Sequence, residues 1–302
     1  MTNPLKPFSR TPKIYVRLPT QGKFYPENFI ASSPNNEVPV KAMTASDDMI
    51  INNPDALLNG DAVYTIIQSC LNQCKDVHKL LIPDVEVILA GIRYASKGDN
   101  LKFKTKCPHC SHETEEIVSI RMLLGASTTI DDLDEKPFYE ISDNPEQKVR
   151  INMHPSPYDT VTQANIVVFE QARLIQFMQD NPEISMEERN DRLRKSFDRL
   201  ATFQLNILLS SIESVDIVAV DPTGQEVVTK VTDKNHIKEF IDDLEKEHAE
   251  GINKKLETLN GIGLPSDIDI QCDECGEMYP MEVKFDPSNF SEDTFSPSKA
   301  KT

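Results

Sequence analysis

At 302 residues the chain has room for one large domain or two ordinary ones. Apolar residues make up 38% and charged residues 27%, enough for a packed core and against a chain disordered throughout. Thirty-two basic against 49 acidic residues leave a net charge of −17, a balance that repels phosphate and argues against non-specific binding to nucleic acid or an anionic membrane. Apolar runs such as Ile166-Val-Val-Phe169 fall far short of the ~20 residues that span a bilayer. Met1-Thr-Asn-Pro-Leu-Lys-Pro lacks the apolar centre of a signal peptide, so neither membrane insertion nor secretion is expected.

Residues 1–45 are Pro-rich and read as an extended N-terminal arm, with strand-like runs at 14–18 and 38–43, a turn at Gln21-Gly22 and a turn cluster at 33–36. Thr44-Ala-Ser-Asp-Asp48 opens a helical segment, 46–100, because a hydroxyl caps free amides and acids suit the positive helix end. Within it Pro54 and Gly60 bracket a small helix. Asp61 caps a second, whose apolar stripe is Val63, Ile66, Ile67, Cys70 and Leu71. Pro83-Asp84 starts a third, burying Val85, Ile88, Leu89 and Ile92. Alternation at 101–106 and 114–120 then predicts a β-hairpin turning at Cys107-Pro-His-Cys110. The same grammar returns at 267–271 and 281–285 around Cys272-Asp-Glu-Cys275.

Between these knuckles lies a mainly helical insertion, 121–265. An acidic linker at 131–135 precedes short strands at 137–153 around a turn at 143–145. Two long helices are expected over roughly 158–180 and 185–212. The first carries a stripe of Val161, Ala164, Val168, Ile175 and Met178, the second one of Leu193, Phe197, Leu200, Phe203 and Ile207. The short Asn181-Pro182 connection folds them back antiparallel. A β-hairpin at 215–231 and a helix capped by Asp233, with Ile237, Phe240, Ile241 and Leu244, complete the unit. Residues 287–302 read as a flexible tail.

The two Cys-x-x-Cys turns are the chemically informative feature. Six cysteines are too few for a disulfide scaffold, and four of them form pairs at metal-ligand spacing. Two intervening residues let a tight turn aim both thiolates at one point, so Cys107, Cys110, Cys272 and Cys275 are expected to hold one structural zinc ion, with no coordination position left for catalysis. Cys110 and Cys272 stand 162 positions apart, far beyond the usual ribbon spacing, but lengthening a loop costs only ~0.6 kcal/mol per doubling. His109 and His112 read as solvated neighbours and Cys70 and Cys74 as buried small residues.

Enzyme signatures are missing. Among ten glycines Gly261-Ile-Gly263 is the only close pair, and it leads to Leu264-Pro265 rather than into a phosphate-binding helix. No nucleophile elbow or two-histidine zinc helix occurs, and an enzyme is not expected. Arg17, Phe24 and Tyr25, in an extended Pro-bounded segment, suit contact with a partner protein; the competing reading packs both rings inside their own domain.

Arg17-Leu-Pro-Thr-Gln-Gly-Lys-Phe-Tyr25, Val40-Lys-Ala-Met-Thr-Ala-Ser-Asp-Asp48, Asn53-Pro-Asp-Ala-Leu-Leu-Asn-Gly60, Gly91-Ile-Arg-Tyr-Ala-Ser-Lys-Gly-Asp99 and Cys107-Pro-His-Cys110 occur in that order. Over residues 10–120 they resemble the baseplate hub and hub assembly proteins of T-even-like contractile-tailed bacteriophages. The resemblance implies a late phage protein that helps build the central hub of the tail baseplate, as a component or an assembly chaperone. It implies contacts with other hub and tail proteins, work in the host cytoplasm during assembly, and leaves open a place in the virion and a homo-oligomer. The fold class expected is α+β: a small N-terminal β/α region and a zinc-ribbon-like module at 101–120 and 266–286, split by the helical insertion. The alternative is a zinc-ribbon regulator of nucleic acid or the transcription machinery, resting on Lys102, Lys104 and Lys106 along one strand face.

Overall fold

The computed structural model describes residues 9–31, 33, 37–51, 60–71, 74–144, 147–181, 185–220, 226–283 and 294–295. The small helix bracketed by Pro54, the 33–36 cluster save Ser33, Pro145, Pro182 and the proposed tail save 294–295 lie outside them. The fold is mixed helix and sheet, in two units: Met1–Leu133 with Gly261–Thr302, and Asp134–Asn260.

In the first unit β1 (Ile14–Arg17) pairs antiparallel with β2 (Glu37–Val40), with Val16 opposite Val38. Val16, Leu18, Phe29, Val38 and Val40 are all buried, so this segment is extended but is a wall of the core and not an arm. After α1 (Ala45–Ile51), α2 (Asp61–Cys70) buries all five residues of its predicted stripe, Leu71 included. The central helix is α3 (Ile82–Lys97), whose Val85, Ile88, Leu89 and Ile92 are at most 1% exposed. It lies so close to β1 that a Cβ on Gly91 would meet Val16 Cγ1 at 2.7 Å.

Strands β3 (Asn100–Lys106) and β4 (Glu113–Ser119) form the first knuckle hairpin, with Leu101, Phe103 and Thr105 inward. Helix α4 (Ile120–Gly125) follows, capped by the Ser119 hydroxyl, which accepts from the Met122 amide. Residues 121–133, assigned above to the insertion, belong to the first unit: Ile130 N–H donates to Pro19 O, and Thr128 exchanges backbone hydrogen bonds of 2.9 and 3.0 Å with Gly263.

The second unit is narrower than the 121–265 insertion and contains more sheet. Strands β5 (Phe138–Asn144) and β6 (Gln147–Met153) precede a helical hairpin, α5 (Asp159–Asp180) and α6 (Met186–Ser210). The chain then returns through β7 (Ile212–Val220) and β8 (Glu226–Val231), and β5-β6-β7-β8 make one antiparallel sheet. Ile151, Met153, Ile212, Val215 and Val218 lie in its core. Helices α7 (Lys234–Asp242), capped by the Asp233 carboxylate, and α8 (Lys246–Asn260) close the unit.

The α5–α6 seam follows the expected α6 stripe except at Phe197 and departs from the expected α5 stripe at Val168 and Ile175. Ala164, Val167, Gln171, Leu174 and Met178 are half-buried, facing Leu193, Ser196, Leu200, Phe203 and Ile207, while Val168, Ile175 and Phe197 are exposed. The chain re-enters the first unit through β9 (Asp267–Gln271) and β10 (Met278–Glu282), which form the second knuckle hairpin. A two-residue strand, β11 (Thr294–Phe295), runs parallel to β3.

Candidate metal centre

Each knuckle is made by the same backbone device. The Cys107 N–H donates to His112 O at 2.8 Å and the Ser111 N–H to Cys107 O at 2.9 Å. At the other hairpin the Cys272 N–H donates to Glu277 O at 3.0 Å and the Gly276 N–H to Cys272 O at 2.9 Å. The offsets are identical, and the fourth residue after the first cysteine is left-handed in both: Ser111 at φ 63° and Gly276 at φ 72°. Gly276 takes that conformation at no steric cost, whereas Ser111 is held in it by the same bonds.

The two turns face each other. Cys107 Sγ lies 3.8 Å from Cys275 Sγ, Cys110 Sγ 3.6 Å from Cys272 Sγ, and the four sulfurs all fall within 4.8 Å of one another. No disulfide joins them. Four sulfurs at ~2.3 Å around a tetrahedral ion would sit ~3.8 Å apart, so the set could hold a divalent metal. Cys107 and Cys272 are buried beside Tyr279 and Ile270, whereas Cys110 and Cys275 are exposed.

Amide donation from Cys275 leads the effects that bring the Cys272 thiol down to about 7. Cys110 goes the other way, to about 12, because desolvation and the other three cysteines outweigh the pull of the His112 amide. Crowded thiols resist ionising together unless a cation neutralises them. His109 and His112 are exposed and are not members of the sulfur cluster.

A family model described as T4 bacteriophage base plate protein matches residues 12–290, nearly the whole chain. The chain belongs to that family. It is a structural protein of a T4-like phage baseplate, and its place is with other tail proteins in the virion tail. No curated protein matches it, and no solved structure does.

The three N-terminal residues expected to meet a partner lie within the matched span. Arg17 is exposed on β1 and Phe24 is half-buried. The Tyr25 ring stacks on Phe29, centroids 4.6 Å apart, and its hydroxyl donates to Asp84 Oδ2 at 2.7 Å while accepting from the Leu81 amide at 2.8 Å. Tyr25 therefore works inside its own unit. Asp84 is fully buried and also accepts from the Thr20 amide at 3.0 Å and the Thr20 hydroxyl at 2.6 Å. The sequence marked Asp84 only as a helix opener; no local pattern signals its partners, which lie 59 and 64 positions away.

The lysine stripe is also accounted for in this baseplate protein. Register sets Lys104 opposite Glu115 and Lys106 opposite Glu113, and Lys102 pairs with Glu115 at 3.2 Å. The strand face that prompted the regulator reading is thus matched by acids across the hairpin.

Proposed function

We propose that this baseplate protein is a component or assembly chaperone of the central hub, acting by protein–protein contact without catalysis and stapled by one zinc ion. The observation that carries the reading is the convergence of Cys107, Cys110, Cys272 and Cys275 from hairpins far apart in sequence. An all-thiolate set favours zinc among the abundant divalent ions, and four protein ligands leave no position for substrate. The N-terminal resemblance supports the hub, with Arg17 and Phe24 among the contacts, and assembly in the host cytoplasm before incorporation.

Elemental analysis of protein purified without chelator should give about one zinc per chain, as a four-thiolate site requires. Cys110→Ser combined with Cys275→Ser should abolish it. Metal-free protein with all thiols reduced would refute the staple. Tagged protein recovered from infected cells should carry hub components; recovery with only peripheral baseplate proteins would refute the hub assignment.

A further inference from the structure

The two flanks of the α5–α6 hairpin differ in kind. At about 100° per residue, the half-buried seam residues of each helix fix which positions project to either side. One flank is charged: Glu170 pairs with Arg199 at 2.9 Å, and Arg192 and Lys195 line the same cleft. The other flank is made of Val168, Ala172 and Ile175 from α5 with Met186 and Phe197 from α6. On it Val168 is 61% exposed, Ile175 50%, Met186 71% and Phe197 65%. The remaining positions that project there, Asn190 and Gln204, are uncharged. A chain of net charge −17 thus keeps the centre of this helical face apolar, with Arg194 and Glu187 at its edge beside Asn190.

We infer that this flank pairs with the same flank of a second copy, making a four-helix bundle about a two-fold axis. Helical spacing is the first support, since Val168 and Ile175, seven positions apart on α5, stand on the same side of the hairpin as Phe197 of α6, an apolar pattern that the single chain leaves uncovered. Charge is the second. A hetero-partner is commonly selected by opposite charge, whereas a neutral apolar face is complementary to itself across a two-fold.

Area is the third. At ~150–250 Å² for a large side chain, the four exposed residues offer on the order of 400–500 Å² per copy, and twice that approaches the ~1,000 Å² of a specific interface. The inference does not depend on the hub assignment or on the metal.

Sedimentation velocity on the full chain tests it. The wild type should run at twice the single-chain mass at concentrations on the order of 100 μM, as an interface at the small end of the size range requires. Ile175→Lys with Phe197→Lys should run as a single chain with unchanged helical content, because neither side chain supports the fold. A wild type that stays single, or a dimer that survives the double substitution, overturns the proposal. So does a face that becomes protected from hydrogen exchange only when another baseplate protein is added.

Discussion

Asp84 is a carboxylate sealed in a protein interior, where the donors around it are the Thr20 amide and the Thr20 and Tyr25 hydroxyls. Burial pushes its pKa up to about 6, against the lowering effect of the Thr20 and Tyr25 hydrogen bonds. The folded state therefore holds this proton more tightly than the unfolded chain, whose ordinary value is 3.8. The resulting stabilisation is complete below that value, fades as pH rises, and is gone above about 6. Urea unfolding should show wild type losing on the order of 2–3 kcal/mol between about pH 4 and pH 7 relative to Asp84→Asn, which lacks the titration. Parallel pH profiles for the two proteins would show that Asp84 does not titrate in this range. None of this was legible at the level of composition, because the acids read as a solvated majority and only long-range contacts distinguish the buried one.

Stripes were legible in helices packed within a core, and less so in the hairpin that lies at the surface. In α2 and α3 every residue of the stripes read from the sequence is buried, and in α3 burial extends beyond the stripe to every residue from Val87 to Arg93. In α5 apolar residues occur around the helix, so the pattern offered several stripes: the expected Ala164 and Met178 lie in the seam, but between them it runs through Val167 and Leu174, next to the expected Val168 and Ile175. Sheet membership was hidden for a similar reason. The strands at 137–153 and 215–231 each look like a lone hairpin, and their joining depends on β6 meeting β7 across the helices.

Glycine in a helix can be equally misleading. Gly91 interrupts α3, where alanine would gain ~1 kcal/mol of helix propensity, yet a Cβ would lie 2.7 Å from Val16 Cγ1. Gly91→Ala should therefore lower stability by roughly 1–3 kcal/mol by calorimetry, the usual cost of overpacking. A rise in melting temperature would mean that β1 moves aside freely.

On the scale of the whole molecule, the two units give chelation a diagnostic outcome. The sulfur cluster belongs to the first unit alone, while Asp134–Asn260 has its own sheet core. Structural zinc in thiolate sites is linked to folding by an apparent ~10 kcal/mol or more. With the proposed zinc bound, a strong chelator should thus lower the unfolding transition of the first unit and leave that of the second within error, resolved by calorimetry or hydrogen exchange. One transition shifting as a whole would show that the units unfold together. The sequence supplied the four clustered cysteines because Cys-x-x-Cys is local; it could not supply the unit boundaries, because pairings such as Thr128 with Gly263 bring together residues 135 positions apart.

Cys107 and Cys275 are 168 positions apart in the chain, and this separation becomes a delay on the ribosome. At ~5–20 residues per second, on the order of 10–30 s passes between synthesis of the first knuckle and of the last sulfur. Throughout that interval the nascent protein displays half a site, two thiols able to be oxidised or to capture a metal incompletely. Residues 134–260 emerge in the meantime and meet no such wait. A translation pause or a premature stop before Cys272 therefore yields a chain with a formed second unit and an unfinished first one, the species on which quality control in the infected cell would act.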